Sequence, residues 1–355
     1  MNILFLAQYR GPDTDGWSIA ARRYLDALLM TGHKVAARPV YMGGNGGKIS
    51  KRAEAAENTK LDKIDVLIQN VLPDLLESHD CYNIGVFFTE TRNLQKTGWV
   101  QKINLLDEVW VNSEMEKQSL VSSGVKVKIN IVPIPYKAPI AEPEPFNLQE
   151  ADGKYIFYFI GENNERKNIL ALVKAFHREF SPQEDVTLLI KTNETDLAGE
   201  INEWRTRARL RKEYIPEIII KSAISEQDIY SIHKMCDCFV CPSRGEAFCM
   251  PIMDALYFNN PVICTNNTFP MSIFYPNLIG VNSVETPIDC KHPPLPHIYT
   301  GNETWQEIDI LDLQDAMRHE YKSREKSDTR QFILDKFSYQ TVANKMKECL
   351  DVYNK

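Results

Sequence analysis

Two carboxylates, Glu246 and Asp254, stand eight residues apart in the stretch Cys241-Pro-Ser-Arg-Gly-Glu-Ala-Phe-Cys-Met-Pro-Ile-Met-Asp-Ala-Leu256. Ionised carboxylates accept hydrogen bonds from hydroxyl groups. The surrounding residues spell a strand-to-helix corner: Cys236 to Cys241 reads as a buried strand, Pro242 to Gly245 as a turn, and Pro251 to Phe258 as a helix. The first turn of such a helix carries backbone N–H groups with no intrahelical partner, and these attract a diphosphate. Hydroxyl acceptors beside a diphosphate cradle suit a sugar nucleotide. The competing reading makes Glu246 a helix cap and Asp254 a residue on a solvated face, which is the better account of a lone acid pair but not of so dense a pattern.

A second charged cluster lies upstream. Tyr155 to Gly161 reads as a buried strand and Asn168 to Phe180 as an amphipathic helix, joined by Glu162-Asn-Asn-Glu-Arg-Lys167. Nearer the start, the apolar strand Met1 to Ala7 leads through a polar loop, Gln8 to Asp15, into Gly16-Trp-Ser and a helix running to Thr31, with Gly32 closing it before the next strand, Lys34 to Val40. This is not a Gly-x-Gly-x-x-Gly fingerprint, so a nicotinamide dinucleotide is not favoured. Gly85-Val-Phe-Phe-Thr-Glu-Thr91 ends a hydrophobic strand in polar residues, and the carboxyl ends of parallel strands are where open α/β sheets hold ligands. Thr89 and Glu90 fit that role and the capping of a following helix equally well.

The corner at 241–256 resembles the signature of the retaining glycosyltransferases of the GT-B fold, specifically the large family 4, in which it usually runs Pro-Ser-x-x-Glu-Gly-Phe-Gly-x-Pro-x-x-Glu-Ala. The resemblance implies that Glu246 accepts hydrogen bonds from the transferred sugar, that the amides of Ala247, Phe248, Cys249 and Met250 donate to the diphosphate, and that Asp254 holds the ribose. The loop at 161–167 is similar to the family's Gly-Arg-x-x-x-x-Lys-Gly, whose two cations neutralise the diphosphate leaving group. Lys167 falls on the lysine position. Glu162 occupies the arginine position, and Arg166 is the candidate to restore the lost cation. Gly16 would approach the diphosphate or the acceptor, Glu90 would be an acceptor-side residue in place of a histidine common in relatives, and backbone atoms near Ala223 would face the nucleobase. Two further departures are Asp254, one methylene shorter than the usual glutamate, and Cys249 in place of a glycine.

The elements that must position these residues follow a doubly wound strand–helix rhythm. The fold expected is α/β, a GT-B pair of Rossmann-like domains facing an interdomain cleft. Residues 1–137 form the acceptor-side domain, 138–152 a proline-rich linker and 153–337 the nucleotide-sugar domain, while 338–355 pack back on the N-terminal domain as the family implies. Thr268 to Trp305 reads as an irregular flap, and the Met42-Gly-Gly-Asn-Gly-Gly47 run as a mobile loop. Arg205 to Lys212 reads as the basic face of a helix.

Composition limits the rest. A chain of 355 residues exceeds what one core usually serves. No apolar run is long enough to span a membrane and no signal-peptide pattern is present, so a cytoplasmic location is expected. The formal charge of −7 argues against a protein that coats nucleic acid, although an acceptor carried on nucleic acid stays open. Cys236, Cys238 and Cys241 lie in a strand-like run, no Cys-x-x-Cys pair recurs elsewhere in the chain, and they read as reduced, buried thiols. Neither a metal nor a resident cofactor is expected, since the resemblance gives Lys167 and the helix amides the work that a metal does in other transferase folds.

The function so implied is retaining, metal-independent transfer of a hexose-type sugar from a UDP- or GDP-sugar to an acceptor hydroxyl, the leaving diphosphate taking the acceptor proton on the same face. The alternatives are a non-catalytic sugar-nucleotide-binding subunit and another GT-B chemistry such as epimerisation or phosphorolysis. The sequence distinguishes neither the donor base nor the acceptor.

Overall fold

The computed structural model describes residues 1–192, 196–208, 213–288 and 299–354, and divides into two compact units. Unit 1 comprises Met1–Lys137, Pro287–Thr304 and Phe332–Lys355; unit 2 comprises Ala138–Thr286 and Trp305–Gln331. Segment 287–304, read from sequence as part of the nucleotide-sugar domain, therefore groups with unit 1.

Unit 1 is built on strands β1 (Asn2–Ala7), β2 (Lys34–Pro39), β3 (Val66–Asn70), β4 (Tyr82–Val86), β5 (Glu108–Val111) and β6 (Lys128–Ile131), all parallel, in the order β2-β1-β3-β4-β5-β6. Unit 2 repeats the plan with β7 (Tyr155–Ile160), β8 (Val186–Lys191), β9 (Ile218–Ile220), β10 (Cys238–Cys241), β11 (Val262–Thr265) and β12 (Ile279–Val281), in the order β12-β11-β10-β7-β8-β9. A two-stranded sheet pairs β13 (Ser283–Pro287) with β14 (Thr304–Ile308). Strands β7 and β10 are buried at every position, as parallel strands covered on both faces must be, which is why they read as unbroken apolar runs.

The strand order decides where a ligand can sit. In unit 2 the chain winds outward from β7 through β8 and β9, then returns to β10 on the other side of β7. The crevice at such a reversal, beyond the carboxyl ends of the two adjacent strands, is the binding place of doubly wound sheets. The loops that enter it follow β7 and β10, and they are the two segments that carry the charged motifs.

Several boundaries differ from the sequence reading. Cys236 caps the helix Glu226–Met235 instead of starting a strand. The presumed flap contains the helix Phe269–Ile273 and strands β12 and β13, while its residues 289–298 lie outside the described residues. Of the basic run, Arg205 to Ala208 end the helix Leu197–Ala208, and residues 209–212 lie outside the described residues. The glycine run is tied down: the amides of Gly46 and Gly47 donate to the Arg10 carbonyl at 3.0 and 3.2 Å, and a Cβ on Gly47 would lie 2.0 Å from the Gly11 carbonyl.

The final helix, Tyr339–Asp351, packs on the helix Gly16–Leu28 within unit 1. A buried carboxylate fixes the residues beyond it. Glu108 is fully buried and accepts hydrogen bonds from Trp110 Nε1 at 2.7 Å, Lys128 Nζ at 3.0 Å, Asn130 and the Tyr353 hydroxyl. The Tyr82 and Tyr353 rings lie 3.8 Å apart above it. The Tyr353→Phe variant removes the hydroxyl's bonds with Glu108, Lys128 and Tyr82 and is expected to lower unfolding free energy by about 1.5–3 kcal/mol, measurable by urea denaturation. An unchanged midpoint would mean that the Tyr353 hydroxyl contributes nothing to stability.

Candidate active site

The loop after β10 and the loop after β7 are laced together by backbone and guanidinium groups. The Arg244 amide donates to the Arg166 carbonyl at 2.8 Å, and Arg166 NH1 donates to the Gly245 carbonyl at 2.8 Å. Arg244 reaches the Glu165 carbonyl and pairs with Glu307 of β14, whose other carboxylate oxygen accepts from Asn168 Nδ2 at 3.1 Å. Sequence reasoning passed over Arg244 and Glu307. The first sits inside the motif with no known role to flag it, and the second is distant in the chain.

Within this frame Glu246 is 5 % exposed, and its carboxylate lies 2.6 Å from Lys167 Nζ and 3.2 Å from Arg166 NH1. Burial alone pushes its pKa up, but the charges of Lys167 and Arg166, with hydrogen bonds from Lys167 and Ser243, outweigh it and hold the value down to about 2. The same pairing raises the Lys167 pKa against the opposing effect of its own burial. The site therefore holds a fixed anion between two fixed cations at neutral pH. Glu246 caps no helix. Glu162, on the family's arginine position, is exposed and accepts from Asn164 at 3.3 Å, while Arg166 supplies the second cation beside Glu246.

The helix Met250–Tyr257 starts at Cys249, whose side chain makes no capping bond to the first turn. Cys249 sits at φ +65°, ψ 74°, the left-handed region that glycine enters at no cost. The cysteine thus holds a backbone shape that favours glycine, the residue usual at this place in the motif it resembles. At such a position the usual advantage of alanine over glycine reverses. Cys249→Gly is expected to be more stable than Cys249→Ala by about 1 kcal/mol, read from paired thermal melts; the opposite order would mean that the left-handed backbone is not kept in solution.

Ala247 and Phe248 are buried, Phe248 edge-on to Phe274 at 5.3 Å, and Met250 is half-buried. Asp254 is 7 % exposed, not on a solvated face. Ala223 lies exposed in the loop after β9. These residues share the carboxyl-end side of the unit 2 sheet with the loops above.

Gly16 and Glu90 belong to unit 1. Gly16 opens the helix Gly16–Leu28, but Asp15 already caps it, accepting from the Trp17 and Ser18 amides at 3.2 and 3.0 Å. A carboxylate therefore occupies the helix start beside Gly16. Glu90 is half-buried in the loop after β4. Neither it nor Thr89 caps the next helix, because Asn93 and Gly98 hold the cap positions that follow, and the Thr89 hydroxyl donates instead to Glu116 at 3.3 Å. His233 is fully buried against the Tyr158 hydroxyl at 2.7 Å, and burial lowers its pKa to about 3.

Comparison with known families matches this loop-bearing segment. Residues 141–286 match the model of the family glycosyl transferases group 1. The group 1 segment takes in both charged loops and all of unit 2 from the linker to the edge of β13. No curated protein sequence matches the chain. Among solved structures, Anabaena HepE in complex with UDP and glucose superposes with a TM-score of 0.67 at 12 % identity, covering 99 % of this chain and 100 % of that one. Sucrose-phosphate synthase from Thermosynechococcus elongatus gives 0.66 at 14 % identity over 100 % and 99 %. A glycosyltransferase from Rickettsia africae gives 0.63 at 14 % identity over 100 % and 98 %. At these identities the likeness establishes the fold, which is GT-B with two doubly wound α/β units. No helix among the described residues is long and apolar enough to cross a membrane.

Proposed function

We propose that the chain is a retaining glycosyltransferase that moves a sugar from a nucleoside diphosphate donor, a UDP-sugar first and a GDP-sugar second, to an acceptor hydroxyl. The observation that carries this reading is the buried Glu246 carboxylate held by Lys167 and Arg166 at the strand-order reversal of the group 1 segment. Glu246 would accept hydrogen bonds from sugar hydroxyls. Lys167 and Arg166 would share their charge with the diphosphate, the backbone amides of Ala247 to Met250, leading into the helix, would donate to it, Asp254 would hold the ribose, and backbone near Ala223 would meet the base. Charge that develops on the leaving diphosphate is stabilised most by cations already fixed in place, since no reorganisation is needed at the moment of reaction. In the reaction the acceptor oxygen bonds to the anomeric carbon, the bond from that carbon to the diphosphate breaks, and a diphosphate oxygen takes the hydroxyl proton on the same face. Glu90 remains the acceptor-side candidate. Solved HepE complexes with UDP-glucose favour the uridine series.

The test is a thermal-shift panel with UDP, GDP, ADP, CMP and NAD, each with and without EDTA, followed by product stereochemistry with the donor series selected. A selective, EDTA-insensitive rise with one nucleoside diphosphate and an α-linked product from an α-linked donor support the proposal. Binding without turnover on any acceptor would turn the reading to a non-catalytic subunit, and an epimerised donor or a free sugar phosphate would turn it to another GT-B chemistry.

A further inference from the structure

Three ligand-type atoms converge beside the proposed donor contacts: Cys241 Sγ at the end of β10, Cys249 Sγ at the start of the helix Met250–Tyr257, and a carboxylate oxygen of Glu246 between them in sequence. All three lie within 4.8 Å of one another, and all three residues are buried. The two sulfurs are 3.7 Å apart. A tetrahedral zinc ion with sulfur ligands at about 2.3 Å spans a sulfur–sulfur edge of roughly 3.8 Å. The thiol pair thus already has the separation that a soft divalent cation imposes, and a small movement of Glu246 would complete a three-ligand face with a fourth position for water.

We infer that Cys241, Cys249 and Glu246 form a binding site for a thiophilic divalent cation, Zn²⁺ being the natural occupant, which competes with the donor. The charge balance permits this despite Lys167 and Arg166 on the same carboxylate. Entry of one dication with release of the two thiol protons leaves the cluster at the same net charge of −1 as Glu246 with two neutral thiols, so the two cations keep their counter-charge. Affinity accordingly rises with pH as proton release becomes easier. Of the three cysteines read from sequence as plain buried thiols, Cys236 and Cys238 take no part, while the fold sets Cys241 beside Cys249 across the corner. The site is inhibitory because it engages Glu246 and the Cys249 corner, and this competition, unlike the site itself, rests on the donor reading.

The experiment is a titration of the reduced, chelator-free protein with Cd²⁺, followed by the ultraviolet thiolate-to-cadmium absorption band. One saturable equivalent is expected. It should be lost in Cys241→Ser and in Cys249→Ser and weakened in Glu246→Gln, but retained in Cys236→Ser. Removal of a thiolate ligand should weaken binding beyond the roughly 10–100-fold that loss of a supporting outer contact causes. Circular dichroism of each variant checks folding, and peptide mapping of the parent should show Cys241 and Cys249 shielded from alkylation by Cd²⁺. A band that survives both serine variants, no band in the parent, or unshielded cysteines would each overturn the site. A second arm adds UDP: mutual antagonism supports competition, whereas Cd²⁺ binding at these thiols with unchanged UDP affinity upholds the metal site and removes the corner from the donor site.

Discussion

Glu246→Gln is expected to lower turnover by about 100- to 1,000-fold, the loss seen when one fixed polar contact to a reacting group is removed. The amide fits the same space, so the change is one of charge and not of volume. If the contact to the sugar strengthens in the transition state, kcat and kcat/KM fall together; a rise in KM alone would make Glu246 a ground-state binding residue. Near-parental turnover would remove Glu246 from the sugar site. The same variant has a stability signature. The folded-state pKa of Glu246 is held at about 2 against an ordinary value of 4.5, so the carboxylate stabilises the fold above pH 4.5, and that contribution is lost as pH falls toward 2. At neutral pH it is on the order of 3 kcal/mol. The parent should therefore unfold at higher denaturant than Glu246→Gln at pH 7, and the gap should narrow from pH 4.5 downward. A gap that is flat with pH would mean the carboxylate is not paired in solution.

Lys167→Ala is expected to have the second largest effect. It strips the nearer cation, 2.6 Å away, from a buried carboxylate and leaves Arg166 at 3.2 Å as its counter-charge. Truncating one partner of a buried, hydrogen-bonded ion pair costs about 2–5 kcal/mol, much of it the penalty of the charge left behind. Part of that appears as lost stability. The rest should appear as UDP affinity weakened by about 10- to 100-fold in isothermal titration, with turnover falling at least as far. Unchanged nucleotide affinity would take Lys167 out of the diphosphate site and leave it a structural partner of Glu246. Arg166→Ala separates the two cations' roles. Its guanidinium also holds the Gly245 carbonyl, so a roughly tenfold loss of activity with a modest loss of stability is expected. Parental activity would make Arg166 a loop brace alone.

The sequence by itself determined the local pieces. The alternation of apolar strands with amphipathic helices is written in short-range periodicity, and the corner at 241–256 and the loop at 161–167 carry residue types whose chemistry is independent of where the chain goes next. Two parallel-sheet units, an acid at Glu246 and a cation at Lys167 were legible for that reason. The tertiary structure decided the rest, because it depends on which distant segments become neighbours. Strand order brings β7 beside β10, and only then does Arg166 stand against Glu246 while Glu162 turns to solvent. Asp15 takes the start of the helix Gly16–Leu28 through a hydrogen-bond choice that spacing does not reveal. The glycine run at 42–47 is pinned by Arg10 from another part of the chain, and the strands at 279–287 form because β11 and β14 supply their partners. Cys249 keeps a glycine's left-handed backbone because the fold around it holds that shape, and that conformation sets its sulfur beside Cys241, a proximity no linear cysteine spacing encodes.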